Sequence, residues 1–262
     1  MCENELSNWL KLADENLVDS IVHRVKSIKS GKLYETENYI IYTIGVDSED
    51  GHLNGAFCFN DDYAEEMLNE AEKFFKTTNF SYSVWIRDHE DYKLEKILKQ
   101  KGLKPKREPG SSVMIINEKI DLLELPDGFE LKRVNSEKEI KDFALVTKNA
   151  FDKTDEVIEC MFSSNKTLID SNVISFVIYK NDEPVATALT VMSDRIAGIY
   201  WVGTIEDARG QGLGGYIAQV ATNIGFELGA EAVILQASAV GERVYNKLGY
   251  KKITLYRSYL IK

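Results

Sequence analysis

Four of the chain's 17 glycines fall within six residues, in the segment Ala208-Arg209-Gly210-Gln211-Gly212-Leu213-Gly214-Gly215. The segment separates a β-rich run, Ala197 to Ile205, from an apolar run of helical period, Tyr216 to Leu228. A strand must therefore turn into a helix through backbone that glycine adopts most freely, and this limits the folds available. The chemistry is limited as well. Glycines at such a junction admit a ligand close to the main chain, and the helix N-terminus offers N–H groups and the positive end of its dipole. The natural guest is a phosphate or pyrophosphate.

The pattern around this loop predicts an α/β chain with a mixed sheet. A strand over Phe129 to Val134 is followed by a helix from Glu137 to about Phe151, with Ser136 and Glu139 spaced as a capping box. A second helical stretch is expected over Asp155 to Leu168. Strands follow over Val173 to Tyr179, Pro184 to Met192 and Ile196 to Thr204, the first two joined by a Lys180-Asn181-Asp182-Glu183 turn. After the glycine loop and its helix come a short strand, Ala232 to Gln236, a helix from about Gly241 to Leu248, and a last strand, Ile253 to Ile261. Three hairpin-linked strands feeding a glycine loop are unlike a doubly wound sheet.

The first half reads as a worn copy of the second, the alternative being two unrelated α/β halves with a chance Gly-Leu/Gly-Tyr match. Strands over Leu53 to Phe59, Phe80 to Ile86 and Ser112 to Ile116 alternate with helices over Tyr63 to Lys76 and Tyr92 to Lys101. Gly102-Leu103-Lys104 matches Gly249-Tyr250-Lys251 at the end of the second half. The Pro126-Asp127-Gly128 turn marks the boundary, dividing the chain into residues 1–125 and 126–262. No element is assigned before Leu53.

Composition narrows the function classes. The 262 residues carry a net charge of -10, which disfavours nucleic acid as a partner. Residues 1–125 hold 16 Lys and Arg against 24 Asp and Glu, so an acidic first half can steer a cationic substrate, or can simply be solvated surface. No run of apolar residues is long enough to span a membrane, and the N-terminus lacks a signal pattern, so cytoplasmic residence is the expectation. Cys2, Cys58 and Cys160 are too scattered for a disulfide framework or a zinc site, and no metal is expected.

Gly210, Gly212 and Gly215 satisfy G-x-G-x-x-G literally, but the context of a dinucleotide fold fails. Glu206-Asp207-Ala208-Arg209 intervene between strand and loop, and the next strand ends in Gln236-Ala237 rather than in an acid that would hold ribose. Only 47 residues remain after Gly215. A Walker loop is absent, since no Gly-Lys-Ser/Thr occurs. A purely structural turn is the plain alternative.

The other parse is Arg209-x-x-Gly212-x-Gly214 after a strand, together with Tyr245-Asn246-Lys247-Leu248-Gly249-Tyr250 near the C-terminus. On these motifs residues 128–262 resemble the GNAT superfamily of acyl-CoA-dependent N-acetyltransferases. The resemblance implies a GNAT fold, here as two tandem GNAT-like domains, and acetyl-CoA as acyl donor. It implies that Arg209, Gly210, Gln211, Gly212, Leu213 and Gly214 cradle pyrophosphate, while Val202 and Thr204 pair with pantetheine amides. Many members carry Asn seven residues before the tyrosine; this chain departs from that pattern with Ser238, whose hydroxyl can still contact the coenzyme or the strand splay.

All three histidines (His23, His52, His89) lie in the first half, so no Ser-His-Asp or Cys-His arrangement fits within the second. Direct attack of a substrate amine on a bound thioester is the chemistry left open. Tyr245 is the expected acid for the departing thiolate, because a phenol stays protonated at neutral pH. Glu206 is the nearest carboxylate for a general base, with Asp194 placed in a hairpin beside it; either can instead be a solvated turn residue, with a chain of waters taking the amine's proton. The first half has Asn60-Asp61-Asp62 in place of the loop and Leu98 in place of the tyrosine. Its expected part is to complete the fold or wall the substrate cleft, with Asp61, Asp62, Glu65 and Glu66 facing a cationic amine. The function expected is acetyl transfer to a small-molecule or peptide amine. A non-catalytic acyl-CoA-binding regulatory module is the alternative.

Overall fold

The computed structural model describes residues 3–262. Along the chain the elements are α1 (Glu3–Ser27), β1 (Lys32–Glu35), β2 (Tyr39–Thr43), β3 (Asn54–Cys58), α2 (Ala64–Lys76), β4 (Tyr82–Arg87), α3 (Tyr92–Gln100) and β5 (Ser111–Ile116). The second half adds β6 (Phe129–Arg133), α4 (Glu137–Phe151), α5 (Asp155–Met161), β7 (Ile169–Asp170), β8 (Val173–Lys180), β9 (Glu183–Ser193) and β10 (Ile196–Thr204). It ends with α6 (Leu213–Glu227), β11 (Ala232–Ala237), α7 (Ala239–Lys247) and β12 (Lys251–Ile261).

Local sequence chemistry explains most of these boundaries. The capping box at α4 is formed, with Ser136 accepting from the Glu139 amide while the Glu139 carboxylate accepts from the Ser136 amide. Asn181 and Asp182, both at positive φ, make the tight turn between β8 and β9. The helix expected from Asp155 stops early, at Met161. Ser163 bonds back to the Cys160 carbonyl, and Ser164 caps a separate short turn over Asn165–Thr167. Such local side-chain bonds offer the backbone an alternative to continuing a helix.

One mixed sheet runs through both halves in the order β1-β2-β3-β4-β12-β5-β11-β10-β9-β8-β6, with β7 paired on β8. Each half repeats the same sequence of pairings. An antiparallel hairpin (β2–β3, β9–β10) leads through a helix (α2, α6) to a parallel strand (β4, β11), then through a second helix (α3, α7) to a last strand. The two last strands are exchanged: β5 lies antiparallel beside β11, and β12 beside β4, and the two pair with each other. Gly102 and Gly249, aligned in sequence, both close their helices at positive φ.

Helices cover both faces of the sheet. α1, α4 and α5 pack on one face in a core that includes Leu17, Ile21, Phe143 and Tyr200 from both halves. On the other face, α6 and Tyr245 of α7 pack over the second half, and α2 with α3 over the first. The linker after β5 is held on α6, where Asn223 exchanges hydrogen bonds with the Ile120 main chain at 2.7 and 2.8 Å.

The long helix α1 was not apparent from the sequence, and its burial shows why. An apolar stripe (Ala13, Leu17, Ile21, Val25) lies beside a polar stripe that is equally buried (Asn16, Ser20, Arg24). Asn16 and Arg24 meet groups of the second half: Asn16 bonds the Val191 carbonyl at 3.1 Å, and Arg24 stacks over the Trp201 ring. With two buried stripes of opposite polarity the amphipathic period is nearly erased. Cys58 is buried and Cys160 half-buried, both as free thiols, while Cys2 lies outside the described residues. No helix among the described residues is long and apolar enough to cross a membrane.

Candidate active site

The site begins where two parallel strands part. β10 and β11 pair only from Ile196–Ala232 to Ile199–Leu235. Beyond that, β10 keeps β9 as its neighbour and β11 keeps β5. The parting is built into β10 by a bulge between Tyr200 and Gly203, with Trp201 at φ 52°. A bulky residue at positive φ is strained, by about 1–3 kcal/mol, and persists only where its surroundings fix it. Here Thr187 donates to the Trp201 carbonyl at 3.1 Å, the Phe151 ring meets the indole edge-on at 5.2 Å, and the Arg24 guanidinium lies over it at 5.0 Å. Gly203 admits this packing, since a Cβ there would stand 2.8 Å from Ala150 and Phe151.

The glycine loop lies at the end of the parted strand. Gly210 and Gly212 take φ of 77° and 80°, and a Cβ on either would project into open space rather than into protein. Gly212 is the N-cap of α6 and has no side chain to satisfy the first-turn N–H groups, which are left to a ligand. Leu213 is fully buried and anchors the turn from below. Arg209 folds back so that its Nε donates to the Thr204 carbonyl at 3.2 Å. Lys180, the last residue of β8, bonds Gln211 at 3.4 Å and adds a cation that sequence spacing does not reveal. A free helix N-terminus with open space and a cation beside it fits a pyrophosphate.

Between the halves lies a cavity of about 740 Å³, lined on the second-half side by Trp201, Val202, Ser238 and Tyr245. Burial pushes the Tyr245 phenol up to about 12, so it is protonated throughout the neutral range. Its ring packs edge-on against Tyr250 at 5.9 Å. Val202 and Thr204 sit half-buried on the stretch of β10 that has lost β11 as a neighbour. Ser238 borders the cavity, but its hydroxyl is engaged as the N-cap of α7, accepting from the Gly241 amide at 3.2 Å.

The carboxylates expected near the chemistry are elsewhere. Glu206 lies in a short turn, Glu206–Ala208, and does not line the cavity. Asp194 is not beside it. It occupies the β9–β10 turn, at the opposite end of β10, and lines a separate cavity of about 470 Å³ against α1. Asp61 caps α3 instead of facing a substrate, accepting from the Lys93 and Leu94 amides at 2.6 and 2.8 Å. Asp62, Glu65 and Glu66 also lie outside the cavity lining.

The first half does wall the cavity, through the loop before β3 and through Trp85 and Lys106. That loop places Asp50 and His52 inside. The Asp50 carboxylate accepts from the His52 amide at 2.9 Å and pairs with Lys153 at 2.6 Å. Burial alone would raise the Asp50 carboxyl, but Lys153 and His52, by charge and hydrogen bonds together, outweigh it and hold the group well below the usual range. Burial pushes the His52 imidazole down to about 4. Asp50 opposes that shift, while Arg24 and Lys153 reinforce it. Acidic and basic side chains line the cavity together, and it does not repeat the overall acidity of the first half. Among the described residues no group of three or more His, Cys, Asp or Glu side chains is placed to hold a metal ion.

Residues 139–250 match the acetyltransferase (GNAT) family. No curated protein matches the chain. Among solved structures it is similar to a GCN5-related N-acetyltransferase from Kribbella flavida, with a TM-score of 0.71 at 19% identity over 95% of each chain. A GCN5-related N-acetyltransferase from Sphaerobacter thermophilus gives 0.63 at 15% identity, over 94% of this chain and 93% of the other. A tandem GNAT protein from the clavulanic acid biosynthesis pathway gives 0.58 at 9% identity, over 99% of this chain and 95% of the other. At these identities the likeness is one of fold, and it extends over both halves.

Proposed function

We propose that the chain, whose residues 139–250 match the acetyltransferase (GNAT) family, transfers an acetyl group from acetyl-CoA to a primary amine, by direct attack of the amine on the thioester. Residues 126–262 act as the catalytic domain, and residues 1–125 as a degenerate GNAT-like domain without a coenzyme loop. Arg209 to Gly214 hold the pyrophosphate, with Lys180 as an added cation. Val202 and Thr204 offer the main chain of the parted strand to the pantetheine arm. Ser238 caps α7 at the rim of the cavity, and its hydroxyl proton is left to contact the coenzyme.

The observation that carries this proposal is the position of Tyr245. Its phenol borders the cavity in which the parted strands and the first half meet, and burial keeps it protonated. A protonated phenol there can give its proton to the departing thiolate. A cavity walled by both halves favours a small-molecule amine over an extended peptide, since the acceptor must enter between them. The amine leaves as an amide and the coenzyme as a free thiol.

The test is acetyl-CoA binding by calorimetry together with thiol release over a panel of amines. One coenzyme site per chain and turnover with at least one small amine are expected. Binding without turnover on any amine would favour a non-catalytic acyl-CoA-binding module instead.

A further inference from the structure

Among the titratable side chains that line the cavity is a single histidine, which the acid role of Tyr245 leaves without a task. His52 comes from the first half, in the loop between β2 and β3, and borders the same cavity as Tyr245. Its backbone amide is bound to Asp50, but neither ring nitrogen has a protein partner among the described residues. The ring is held by edge-on contacts with Trp85 at 5.0 Å and with Tyr200 and Trp201 at 6.1 Å each. Three aromatic walls therefore fix the plane of the imidazole and leave its polar atoms for an incoming molecule.

We propose that His52 is the proton acceptor for the substrate amine, so that the catalytic site is completed across the two halves. This rests on the acetyl-transfer function proposed above. The amine nitrogen bonds to the thioester carbonyl carbon, and the carbon–sulfur bond breaks. An N–H proton passes to His52, and the thiolate takes the proton of Tyr245. The resulting imidazolium and phenolate return to their starting forms by exchange with water.

The groups facing His52 suit that task. Asp50 lies on its own loop, Arg24 reaches in from α1, Lys153 from the segment after α4, and Tyr200 from β10. Burial keeps the imidazole neutral, and so able to accept a hydrogen bond, across the physiological range, with Asp50 opposing that shift and Arg24 and Lys153 adding to it. A weakly basic imidazole is a poor base toward a free ammonium ion. The amine therefore enters in its neutral form, having lost its ammonium proton to water, and His52 takes the proton of the first adduct, whose positively charged nitrogen is a far stronger acid. The sequence could not point here, since His52 lies about 190 residues from Tyr245 and is joined to it only through the exchanged sheet.

The experiment compares the full-length wild type with His52→Gln, His52→Phe and His52→Gly for acetyl-CoA affinity and for thiol release with an amino sugar, a diamine, an amino acid and a short peptide. We expect acetyl-CoA affinity to hold within about 2-fold and kcat to fall by ~10²-fold or more in all three variants. Added imidazole should restore part of the rate to His52→Gly alone, which a merely structural role would not allow. Retained kcat in His52→Gln or His52→Phe, or absence of rescue in a His52→Gly protein that still binds acetyl-CoA, overturns the assignment while leaving acetyl transfer intact. If the wild type itself turns over no amine, the assignment and the proposed function fall together.

Discussion

The Tyr200 hydroxyl donates a 2.7 Å hydrogen bond to Asn16 Oδ1, joining α1 to the strand that parts at the candidate site. Both groups are buried, and Asn16 uses its amide to hold the Val191 carbonyl on the neighbouring strand. Gly198 makes room for the contact, since a Cβ there would fall 1.9 Å from Asn16 Oδ1. The bulge at Trp201 begins one residue after Tyr200, so α1 fixes the strand at the point where the cavity opens.

Removing either partner should be costly, and unequally so. Asn16→Ala leaves both the Tyr200 hydroxyl and the Val191 carbonyl without their partner and should destabilise the protein by about 2–3 kcal/mol. Tyr200→Phe leaves Asn16 one of its two bonds and should cost about 1 kcal/mol. Urea denaturation checks both values, and equal losses would mean that the Asn16 amide contributes nothing.

Gly212 and Gly229 separate backbone strain from ligand contact. Both sit at positive φ with open space where a methyl would project, one before α6 and one after it. Alanine at either position should destabilise the protein by about 1–2 kcal/mol. Only Gly212→Ala should weaken acetyl-CoA binding, by roughly 10-fold, because its methyl enters the space beside the free N–H groups. Calorimetric titration of the two variants decides this, and an equal loss from Gly229→Ala would contradict a coenzyme site at the loop.

Arg24 is buried with Nε and Nη1 unpartnered among the described residues, and burial lowers it to about 10. An unpaired buried charge is destabilising, offset here in part by the Trp201 face. Arg24→Met should therefore raise stability by about 1–3 kcal/mol. Loss of its positive charge should also move the His52 titration upward, visible in the imidazole NMR resonances. A stability loss on this substitution would mean that the cation–π contact outweighs desolvation.

The same imidazole makes acid sensitivity predictable. His52 titrates near 6.5 when unfolded and is pushed down to about 4 when folded. Its contribution is fully present above pH 6.5 and is lost as pH falls through 4, because the unfolded chain then binds the proton that the folded one resists. The loss should amount to about 3 kcal/mol. In His52→Gln this part of the stability–pH curve should flatten, and an unchanged curve would show that the imidazole is not desolvated.

What could be read in the sequence follows local chemistry. The α4 capping box, the Asn181-Asp182 turn, the glycine loop and most elements from β3 onward are written in short stretches and are legible, while β1 and β2 are not. α1 was not, because its polar stripe is buried against the other half. The strand exchange that seats β5 beside β11 has no local signal either. The site divides in the same way. Tyr245 and the loop stand in recognisable spacing, whereas Lys180 and His52 reach the site across the sheet. Glu206 and Asp194 were placed by chain proximity, but a nine-residue strand separates them.

The most direct measurement is the steady-state rate of CoA thiol release by Tyr245→Phe, with acetyl-CoA affinity determined on the same protein. A phenol that protonates the leaving thiolate predicts a fall in kcat of ~10²-fold or more, with affinity unchanged. Turnover equal to the wild type's would contradict acyl transfer through Tyr245.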